Sequence, residues 1–336
     1  MHVLSHGKAS LACDLFLNQK LYKIPQAAQV ELGVAFPNVK LSEVNVPNRK
    51  LFDPEAEIYW GNRITEEIIT NMPKLRWIHF GSVGVNRARF SEVIDRDILV
   101  TNSKGLVVAP MVVSVVAFLT SLARGVHHSE NLRKRGLMNR DQFDAYFDQI
   151  HDLEDQKCLI VGYGDVGKSL APVLKAFGMN VTAIKKNLNI PKVSNLQFTS
   201  LDDLLNITPD FDYVVNLLPL TKDTENIFSH DFFAAMKRSA FFINIGRGET
   251  VDESALIAAL KSNSISGAGL DVFAVEPLSS KSELWSMDNV ILTPHVAGLT
   301  SAYWPRQIDL FFSNLKSWLE GDLLAMKNIV DLHKAY

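Results

Sequence analysis

A glycine-rich turn at 159–171, LIVGYGDVGKSLA, has a spacing that suits phosphate binding. An apolar strand leads into Gly162, Gly164 and Gly167, and the sequence then continues as a helix. In the G-x-G-x-x-G spacing, the first glycine permits a sharp turn, the second leaves room for a pyrophosphate, and the third lets helix and strand pack closely. The N–H groups at the helix start face the anion. The predicted cofactor-binding residues of the turn are Gly162, Tyr163, Gly164, Asp165, Val166 and Gly167. A glycine turn without a ligand is the alternative.

A glycine turn of this spacing between a strand and a helix is typical of dinucleotide-binding proteins. Two lysines indicate whether the dinucleotide would be NAD(H) or NADP(H). Lys185 and Lys186 follow the strand NVTAI (180–184), at the place where NAD-binding loops usually carry an acidic residue for the adenosine ribose. Opposite unit charges about 4 Å apart attract by up to about 4 kcal/mol at an effective dielectric constant near 20, and by less when exposed. Ammonium groups in place of a carboxylate therefore favour the 2′-phosphate of NADP(H), with NAD(H) as the second choice. In the alternative interpretation, both lysines are ordinary solvated charges.

Five further strings carry a family resemblance. In chain order they are HFGSVGVNR (79–87), NLLPLTKDTENIF (216–228), FFINIGRGETVDESALIAAL (241–260), GAGLDVFAVEPL (267–278) and LTPHVAG (292–298). With the glycine turn, and in this order, they resemble the D-isomer-specific 2-hydroxyacid dehydrogenase family, which includes glyoxylate/hydroxypyruvate reductases. The resemblance covers most of the chain. It implies hydride transfer between a nicotinamide dinucleotide and the 2-position of a small 2-keto or 2-hydroxy acid.

The resemblance also implies a catalytic set, namely Arg247 of NIGRG, Glu276 of VFAVEPL and His295 of TPHVAG. Reduction of a 2-keto acid needs a proton for the oxygen, and an imidazole can supply it because it titrates near neutral pH. A carboxylate on the far ring nitrogen would favour the charged ring and fix its orientation. A guanidinium offers paired donors to the substrate carboxylate and positive charge to the developing oxyanion. Taken singly, each residue has a non-catalytic interpretation. His295 could be a capped loop residue, Glu276 part of a turn, and Arg247 a contact to an anion or to nothing.

The other implied roles are backbone donors and cofactor contacts. Backbone N–H groups around Val83 and Gly84 would hold the substrate carboxylate, and Asp271 with the Ile245 carbonyl would orient the nicotinamide carboxamide. The expected substrate-binding residues are Ser82, Val83, Gly84, Arg247 and His295. The expected cofactor contacts beyond the turn are Lys185, Lys186, Leu218, Pro219, Thr224, Ile245 and Asp271. No metal site is expected.

These strings lie on two series of short apolar runs that alternate with amphipathic stretches, the pattern of parallel strands joined by helices. The first series is MHVL (1–4), EIYW (57–60), LRWIHF (75–80) and ILVT (98–101). The second begins after Lys157 and comprises CLIVG, NVTAI, YVVNLL, FFINI, GAGLDVF and VILT. The prediction is an α/β fold of two Rossmann-like or flavodoxin-like domains with parallel sheets.

The two series predict a discontinuous first domain. Residues 1–103 and 299–336 would form the substrate-binding domain, and 104–298 the dinucleotide-binding Rossmann domain. The active site is expected in the cleft between them, with hinges near Asn102 and Leu299. The resemblance also implies a homodimer through 104–150.

Two further segments lie outside these motifs. The charged stretch 124–156 is predicted to be a solvent-facing connection. Apolar residues at three- and four-residue intervals predict a last helix from about Tyr303 to Glu320, ended by Gly321. At its start, Tyr303 and Trp304 either select the substrate side chain or anchor that helix.

The composition and net charge limit the kinds of partner that the protein is expected to bind. The chain has 336 residues, of which 47% are hydrophobic and 21% charged, enough for a large core. Lys and Arg total 34 against 37 Asp and Glu, a formal net charge of -3, so no basic excess favours nucleic acid or a membrane. A small molecule is the expected partner.

The N-terminus and the cysteines predict a cytoplasmic protein. Lys8 and Asp14 interrupt the apolar run that a signal peptide would need. Cys13 and Cys158 lie far apart and suggest neither a disulfide framework nor a metal cluster. The apolar stretch 106–123 approaches the length of a membrane span, but a buried helix is the preferred interpretation.

Two other functions remain open at this stage. A dinucleotide-sensing regulatory protein could keep the fold without turnover, although the set Arg247, Glu276 and His295 argues against that. A formate- or phosphite-type dehydrogenase is the second alternative, and nothing in the sequence supports it specifically.

Overall fold

The computed structural model describes residues 9–13, 24–43, 52–85, 91–186 and 196–332. The chain divides into two compact units, Met1–Val107 with Thr300–Tyr336 and Val108–Leu299. Each unit is built on a parallel β-sheet, so the predicted α/β class with two parallel sheets is confirmed. The predicted domain boundaries, after 103 and after 298, stay a prediction. The predicted strand MHVL lies outside the described residues.

The first unit contains a five-stranded parallel sheet of order β2-β1-β3-β4-β5. Its strands are β1 Ala9–Cys13, β2 Val39–Glu43, β3 Ile58–Gly61, β4 Trp77–Phe80 and β5 Leu99–Thr101. Its helices before the crossover to the second unit are α1 Gln26–Ala35, α2 Glu66–Thr70 and α3 Ser91–Asp95. The sequence analysis missed β1 and β2 because ASLAC and VKLSE contain few large apolar residues. Both strands pair in register, for example Leu11 with Leu41.

The C-terminal helix belongs to the first unit and packs through aromatic rings. It is α11, Tyr303–Glu320, and Gly321 ends it with a φ of 76°, as predicted. The Phe311 ring stacks on Trp60 with centroids 3.9 Å apart, and Trp318 stacks on Trp77 at 5.5 Å. This aromatic contact is the partner surface that the amphipathic pattern of the helix requires.

The second unit contains a seven-stranded parallel sheet of order β12-β11-β10-β9-β6-β7-β8. Its strands are β6 Lys157–Val161, β7 Asn180–Ile184, β8 Gln197–Thr199, β9 Tyr213–Asn216, β10 Phe241–Asn244, β11 Gly267–Leu270 and β12 Val290–Leu292. Its helices are α4 Val108–Ala123, α5 Val126–Lys134, α6 Arg140–Phe143, α7 Asp165–Ala176, α8 Leu204–Ile207, α9 His230–Ala235 and α10 Glu253–Lys261. From β6 the strand order runs outward in both directions, and ligands of such sheets bind at the carboxyl ends of the strands at this switch point.

The apolar stretch 106–123 forms α4, whose inner face is buried in the second unit. Phe118 packs so tightly on β11 that a Cβ on Gly269 would lie 2.7 Å from its ring. No single helix of the described residues has the length and apolar character to cross a membrane. Among the described helices, α4 and α5 pass that test only when taken together, with a 71° bend between them.

The segment 124–156 differs from the prediction of a solvent-facing connection. It forms α5, α6 and a 3-10 turn, and it buries His127, His128 and Leu132. The His128 ring stacks on Tyr146 at 3.9 Å, and its Nε2 lies 3.0 Å from Gln149 Oε1. The prediction was therefore partly wrong, because polar residues in this segment bury one another.

Candidate active site

The glycine turn after β6 has the shape that a pyrophosphate requires. Gly162 has a φ of 109°, and a Cβ there would lie 3.0 Å from the Leu217 carbonyl carbon. A Cβ on Gly167 would lie 2.6 Å from the Gly162 oxygen, so only glycine lets α7 approach the strand. A Cβ on Gly164 would meet nothing within 4 Å. That open space precedes the first-turn N–H groups of α7, and helix N-termini of this kind favour anions.

The predicted cofactor residues beside the turn are partly engaged within the protein. The Tyr163 ring is buried edge-on against Phe198 at 4.9 Å, and its N–H donates to the Ile184 oxygen at 3.1 Å. Lys185 is half-buried, whereas Lys186 is exposed with its Nζ 3.3 Å from Asp223 Oδ2. An exposed ion pair of this kind contributes about 0–1 kcal/mol, so a phosphate can replace the carboxylate.

The loop that follows β9 is held by its own hydrogen bonds. Thr224 Oγ1 donates to the Pro219 oxygen at 2.7 Å and accepts the Thr221 N–H at 2.8 Å. On the next strand, the Ile245 N–H donates to the Asn216 oxygen at 3.3 Å. Pro219, Thr224 and Ile245, three predicted cofactor contacts, therefore lie just beyond the carboxyl ends of two neighbouring strands, β9 and β10.

His295 and Glu276 form a direct pair. The imidazole Nδ1 lies 2.7 Å from Glu276 Oε2, and the other carboxylate oxygen accepts the Phe273 N–H at 3.1 Å. The His295 side chain is 52% exposed, and its Nε2 has no hydrogen-bond partner among the described residues. The geometry leaves one ring nitrogen oriented by a carboxylate and the other available for proton transfer.

Asp271 fixes the loop that carries His295. This carboxylate is buried, and its two oxygens accept the N–H groups of Val296 at 2.8 Å and Ala297 at 2.9 Å. Its Oδ1 also accepts the Thr293 hydroxyl. The His295 N–H donates to the Asp271 carbonyl at 2.8 Å and supports a φ of 54° at the histidine. The structure thus shows Asp271 holding protein groups, a task that sequence reasoning did not assign.

Arg247 lies between two glycines that cannot carry side chains. A Cβ on Gly246 would lie 2.8 Å from the Leu218 oxygen, and one on Gly248 would lie 1.9 Å from the Phe273 carbonyl carbon. Arg247 itself is half-buried, and its guanidinium donates to the Gly246 oxygen at 2.7 Å. Close packing at Phe273, whose N–H binds Glu276, places the arginine loop against the turn that holds the glutamate.

Three buried polar residues that sequence reasoning missed form what we term the second-unit network, Asn216, Asn244 and Thr250. The Asn216 amide donates to Asn244 Oδ1 at 2.9 Å and to Thr250 Oγ1 at 2.8 Å. The available signal was an asparagine closing each of the apolar strands YVVN and FFIN. Polar groups are buried only with partners, so two such residues on adjacent strands predict a shared network.

The second-unit network holds backbone next to the predicted site. Asn216 Oδ1 accepts the Leu218 N–H at 2.9 Å, and Asn244 Oδ1 accepts the Gly246 N–H at 3.0 Å. The Arg247 oxygen accepts from Thr250 Oγ1 at 2.6 Å and from Asn244 Nδ2 at 3.3 Å. The network therefore sets the backbone on both sides of Arg247.

The predicted carboxylate loop lies in the first unit. Its carbonyls are occupied: Ser82 Oγ donates to the Gly84 oxygen at 3.0 Å, and Asn102 Nδ2 donates to the Val83 oxygen at 2.8 Å. The N–H groups of Val83 and Gly84 have no hydrogen-bond acceptor in the part of the chain that the structure describes. Adjacent N–H groups with no protein partner suit an anion. Asn86 and Arg87 of the same string lie outside the described residues.

The comparison with known proteins decides the family. A family profile described as D-isomer specific 2-hydroxyacid dehydrogenase, NAD binding domain, matches residues 116–297. The chain belongs to this family. The predicted family is thereby confirmed, and the second unit of this dehydrogenase is a nicotinamide dinucleotide-binding domain.

Relatives cover most of this dehydrogenase. Glyoxylate/hydroxypyruvate reductase B of Escherichia coli is 34% identical over 88% of this chain and 90% of its own length. Glyoxylate reductase of Pyrococcus horikoshii is 30% identical over 81% of this chain and 82% of its own length. A family member from Xanthobacter autotrophicus, solved with NADPH and MES, superposes with a TM-score of 0.80 at 26% identity, covering 98% of this chain and 100% of its own.

A second solved relative binds the phosphorylated dinucleotide. It is an NADPH-dependent glyoxylate/hydroxypyruvate reductase from Sinorhizobium meliloti, solved with NADP and sulfate. It is 25% identical to this dehydrogenase, with a TM-score of 0.80 over 98% of this chain and 100% of its own. Within the described residues, no group of three or more His, Cys, Asp or Glu side chains is placed to hold a metal ion.

Thr250 gives a test of the second-unit network. Thr250→Val keeps the shape but leaves the Asn216 amide and the Arg247 oxygen each short of a partner. We expect the free energy of unfolding to fall by about 1–3 kcal/mol and kcat to fall severalfold, because the Arg247 backbone loses a restraint. Urea unfolding and steady-state kinetics measure both. Thr250→Ser retains the hydroxyl and should recover most of each loss. If the Val variant keeps the parent's kcat, the network has no part in catalysis.

Proposed function

We propose that this dehydrogenase is an NADP(H)-dependent reductase of a small 2-keto acid, of the glyoxylate or hydroxypyruvate type, yielding the D-2-hydroxy acid. The observation that carries the proposal is the 2.7 Å contact between His295 Nδ1 and Glu276 Oε2, which leaves Nε2 available. The names of the relatives from Escherichia coli and Pyrococcus horikoshii support the substrate class.

In the proposed reaction the protein's residues bind, orient and supply a proton. A reduced nicotinamide dinucleotide held by the second unit would supply the hydride for the carbonyl carbon. His295 Nε2–H donates its proton to the carbonyl oxygen, while Glu276 accepts the hydrogen bond from Nδ1–H and keeps the ring oriented. The Arg247 guanidinium donates to the substrate carboxylate and stabilises the developing negative charge on the oxygen.

The proposed binding roles follow the two units. In the first, the N–H groups of Val83 and Gly84, beside Ser82, bind the substrate carboxylate. In the second, the glycine turn and the first turn of α7 hold the pyrophosphate. Leu218, Pro219, Thr224, Ile245 and Asp271 are the proposed contacts on the nicotinamide side. Asp271 Oδ2 accepts one hydrogen bond from the described residues, so a carboxylate lone pair remains for the carboxamide.

The direct test is a panel of 2-keto acids assayed with NADPH and NADH in parallel. We expect turnover of glyoxylate or hydroxypyruvate, with the D-acid as product wherever C2 is chiral, and a higher kcat/KM with NADPH. Binding of dinucleotide without turnover of any 2-keto acid would support the sensing protein instead. Oxidation of formate or phosphite, with the 2-keto acids inert, would support the other alternative.

The cofactor preference rests on Lys185 and Lys186. Replacing both by alanine removes the cations proposed to face the 2′-phosphate, so we expect the KM for NADPH to rise about tenfold and the KM for NADH to change less than about twofold. Steady-state kinetics with each cofactor measures the change. The matched control is Lys261→Ala, because that exposed lysine also pairs with a carboxylate, Glu283, at 2.6 Å. Equal effects on both cofactors would contradict the NADP(H) assignment.

We also propose a homodimer that uses the 104–150 region. Four large apolar side chains there are strongly exposed: Val113, Val126, Met138 and Phe147. Large apolar side chains of this exposure would be shielded from water in a subunit interface. Light scattering should give twice the chain mass, and a monomer at micromolar concentration would contradict the proposal.

A cytoplasmic location is proposed as well, since Cys13 and Cys158 are buried free thiols.

A further inference from the structure

A buried row of polar side chains lies beside the carboxylate loop in the first unit. We call it the first-unit network, and its members are Trp77, His79, Thr101, Ser103 and Gln307. Every member is almost completely buried, in a core otherwise made of aromatic and aliphatic groups. Polar groups in such a core need partners, so the network must satisfy nearly all of its donors and acceptors internally.

One end of the network has two acceptors for a single proton. Ser103 Oγ lies 2.7 Å from the Phe80 oxygen and 2.7 Å from Gln307 Oε1, and a hydroxyl donates only once. With the Gln307 amide oriented so that Oε1 faces Ser103, its Nε2 lies 3.0 Å from His79 Nε2 and donates to it. The imidazole must then carry its proton on Nδ1.

The other end has the opposite problem in that orientation. His79 Nδ1–H would donate to Thr101 Oγ1 at 2.7 Å, and the Trp77 indole also donates to that oxygen, at 2.9 Å. The Thr101 hydroxyl proton is then left without an acceptor in the described part of the chain. In this orientation the Ser103 hydroxyl has two acceptors for its one proton, whereas the Thr101 hydroxyl has none.

A half-turn of the Gln307 amide resolves both ends. The rotation exchanges Oε1 and Nε2 and leaves the heavy-atom positions unchanged. Each of the five hydrogen bonds then has its own proton and its own acceptor, and all of them run in one direction, from Trp77 to Thr101, His79, Gln307, Ser103 and finally the Phe80 carbonyl. The imidazole carries its proton on Nε2. Burial lowers the pKa of His79 to about 3, so the ring stays neutral at assay pH.

The network ends where the carboxylate loop begins. Ser103 also holds the loop through its N–H, which donates to the Ser82 oxygen at 3.0 Å. From the same helix as Gln307, the Tyr303 hydroxyl donates to the Gly81 oxygen. We propose that this one-directional network positions the N–H groups of 82–84 for the substrate carboxylate, with Gln307 and Ser103 as positioning residues. The proposal rests on the carboxylate role assigned to that loop above.

The direction of the network has a spectroscopic signature. In protein labelled with nitrogen-15 histidine, the His79 ring should carry its proton on Nε2 and should not titrate between about pH 5.5 and 9. The signal is assigned by its shift in Thr101→Ser, which keeps the hydroxyl contact. A proton on Nδ1 would overturn the assigned direction and the proposal with it.

Kinetics separates positioning from simple stabilisation. Ser103→Ala should raise the KM for the 2-keto acid about fivefold, with kcat and the KM for NADPH within about twofold. Ser103→Cys keeps a weak donor of similar size and should lie between. The matched control is Ser317→Ala, which removes a buried hydroxyl of α11 whose one hydrogen bond to the described residues is to the Ser313 oxygen. An unchanged substrate KM in Ser103→Ala, or the same rise in Ser317→Ala, would overturn the proposal.

Hydrogen exchange provides a readout that needs no turnover. The peptide covering 81–85 should exchange its amides faster in Ser103→Ala than in Ser317→Ala. If the parent reduces no 2-keto acid, the proposed function fails, and exchange alone then decides whether the network holds the loop. If the parent is active but loop exchange and substrate KM match the control, only the present inference fails.

Discussion

Replacement of His295 by asparagine is expected to lower kcat by about 10²- to 10⁴-fold, the usual contribution of a positioned general acid. The imidazole is the group whose Nδ1 is held by Glu276 at 2.7 Å and whose Nε2 is available. An amide cannot deliver a proton in its place. The KM for NADPH should stay within about twofold of the parent's value, because the imidazole is not among the proposed contacts of the dinucleotide. Steady-state kinetics in the reducing direction measures both.

Asparagine is the appropriate substitute because of the backbone. His295 has a φ of 54°, a left-handed conformation that asparagine tolerates better than most residues. The Asp271 contacts to Val296 and Ala297 do not involve the imidazole, so the loop should keep its shape and the melting temperature should hardly change. A variant that is stable and as fast as the parent would exclude His295 as the proton donor.

Glu276→Gln is the companion variant. The amide oxygen can still accept from Nδ1–H, but the negative charge beside the ring is lost. We expect a smaller fall in kcat than for His295→Asn, and little further loss when both changes are combined, since they act on one proton transfer. Additive losses would show that the two side chains work independently.

Replacement of Arg247 by lysine is expected to lower kcat/KM for the 2-keto acid by about 10²- to 10³-fold. Lysine keeps the charge but not the planar pair of donors that suits a carboxylate and an adjacent carbonyl oxygen. Loss of one such donor to a developing oxyanion typically costs about this much. Kinetics with glyoxylate and NADPH gives the value, and Arg247→Met, without charge or donors, should be lower still.

The fold gives this experiment a clear control. Gly246, Gly248, Thr250 and Asn244 set the loop conformation, and the guanidinium adds only one hydrogen bond, to the Gly246 oxygen. Both variants should therefore unfold at the parent's urea concentration. Addition of guanidinium ion should partly restore Arg247→Met. Full activity of that variant would remove arginine from the proposed reaction.

Asp271 and the second-unit network share a principle. In each case, buried polar side chains form hydrogen bonds with the backbone of a loop at the carboxyl end of the sheet. These bonds hold the loop in a fixed position relative to the rigid strands. Asp271 fixes the loop of His295, and the Asn216–Asn244–Thr250 group fixes the loop of Arg247. Catalytic side chains on loops need such support, because side-chain chemistry alone does not fix their direction.

The sequence by itself determined the features that depend on neighbours along the chain. The strand, glycine turn and helix from β6 to α7 could be predicted because local sterics require those glycines, as Gly162 and Gly167 show. The last helix and its end at Gly321 followed from periodicity. Tertiary structure was needed for β1, β2 and β8, whose short or polar strings are strands only because a sheet neighbour pairs with them.

Tertiary structure alone decided the polar networks. His79 and Ser103 meet Gln307 across 228 and 204 positions of sequence, and Asn216 meets Thr250 across 34. Apart from the asparagines that end the apolar strings YVVN and FFIN, nothing local distinguishes a buried amide from a solvated one, since the difference is the partner that folding brings to it. The candidate chemical groups could therefore be named from the sequence motifs and the family that these motifs resemble. Their orientation depended on contacts between residues distant in the chain, which only the folded protein contains.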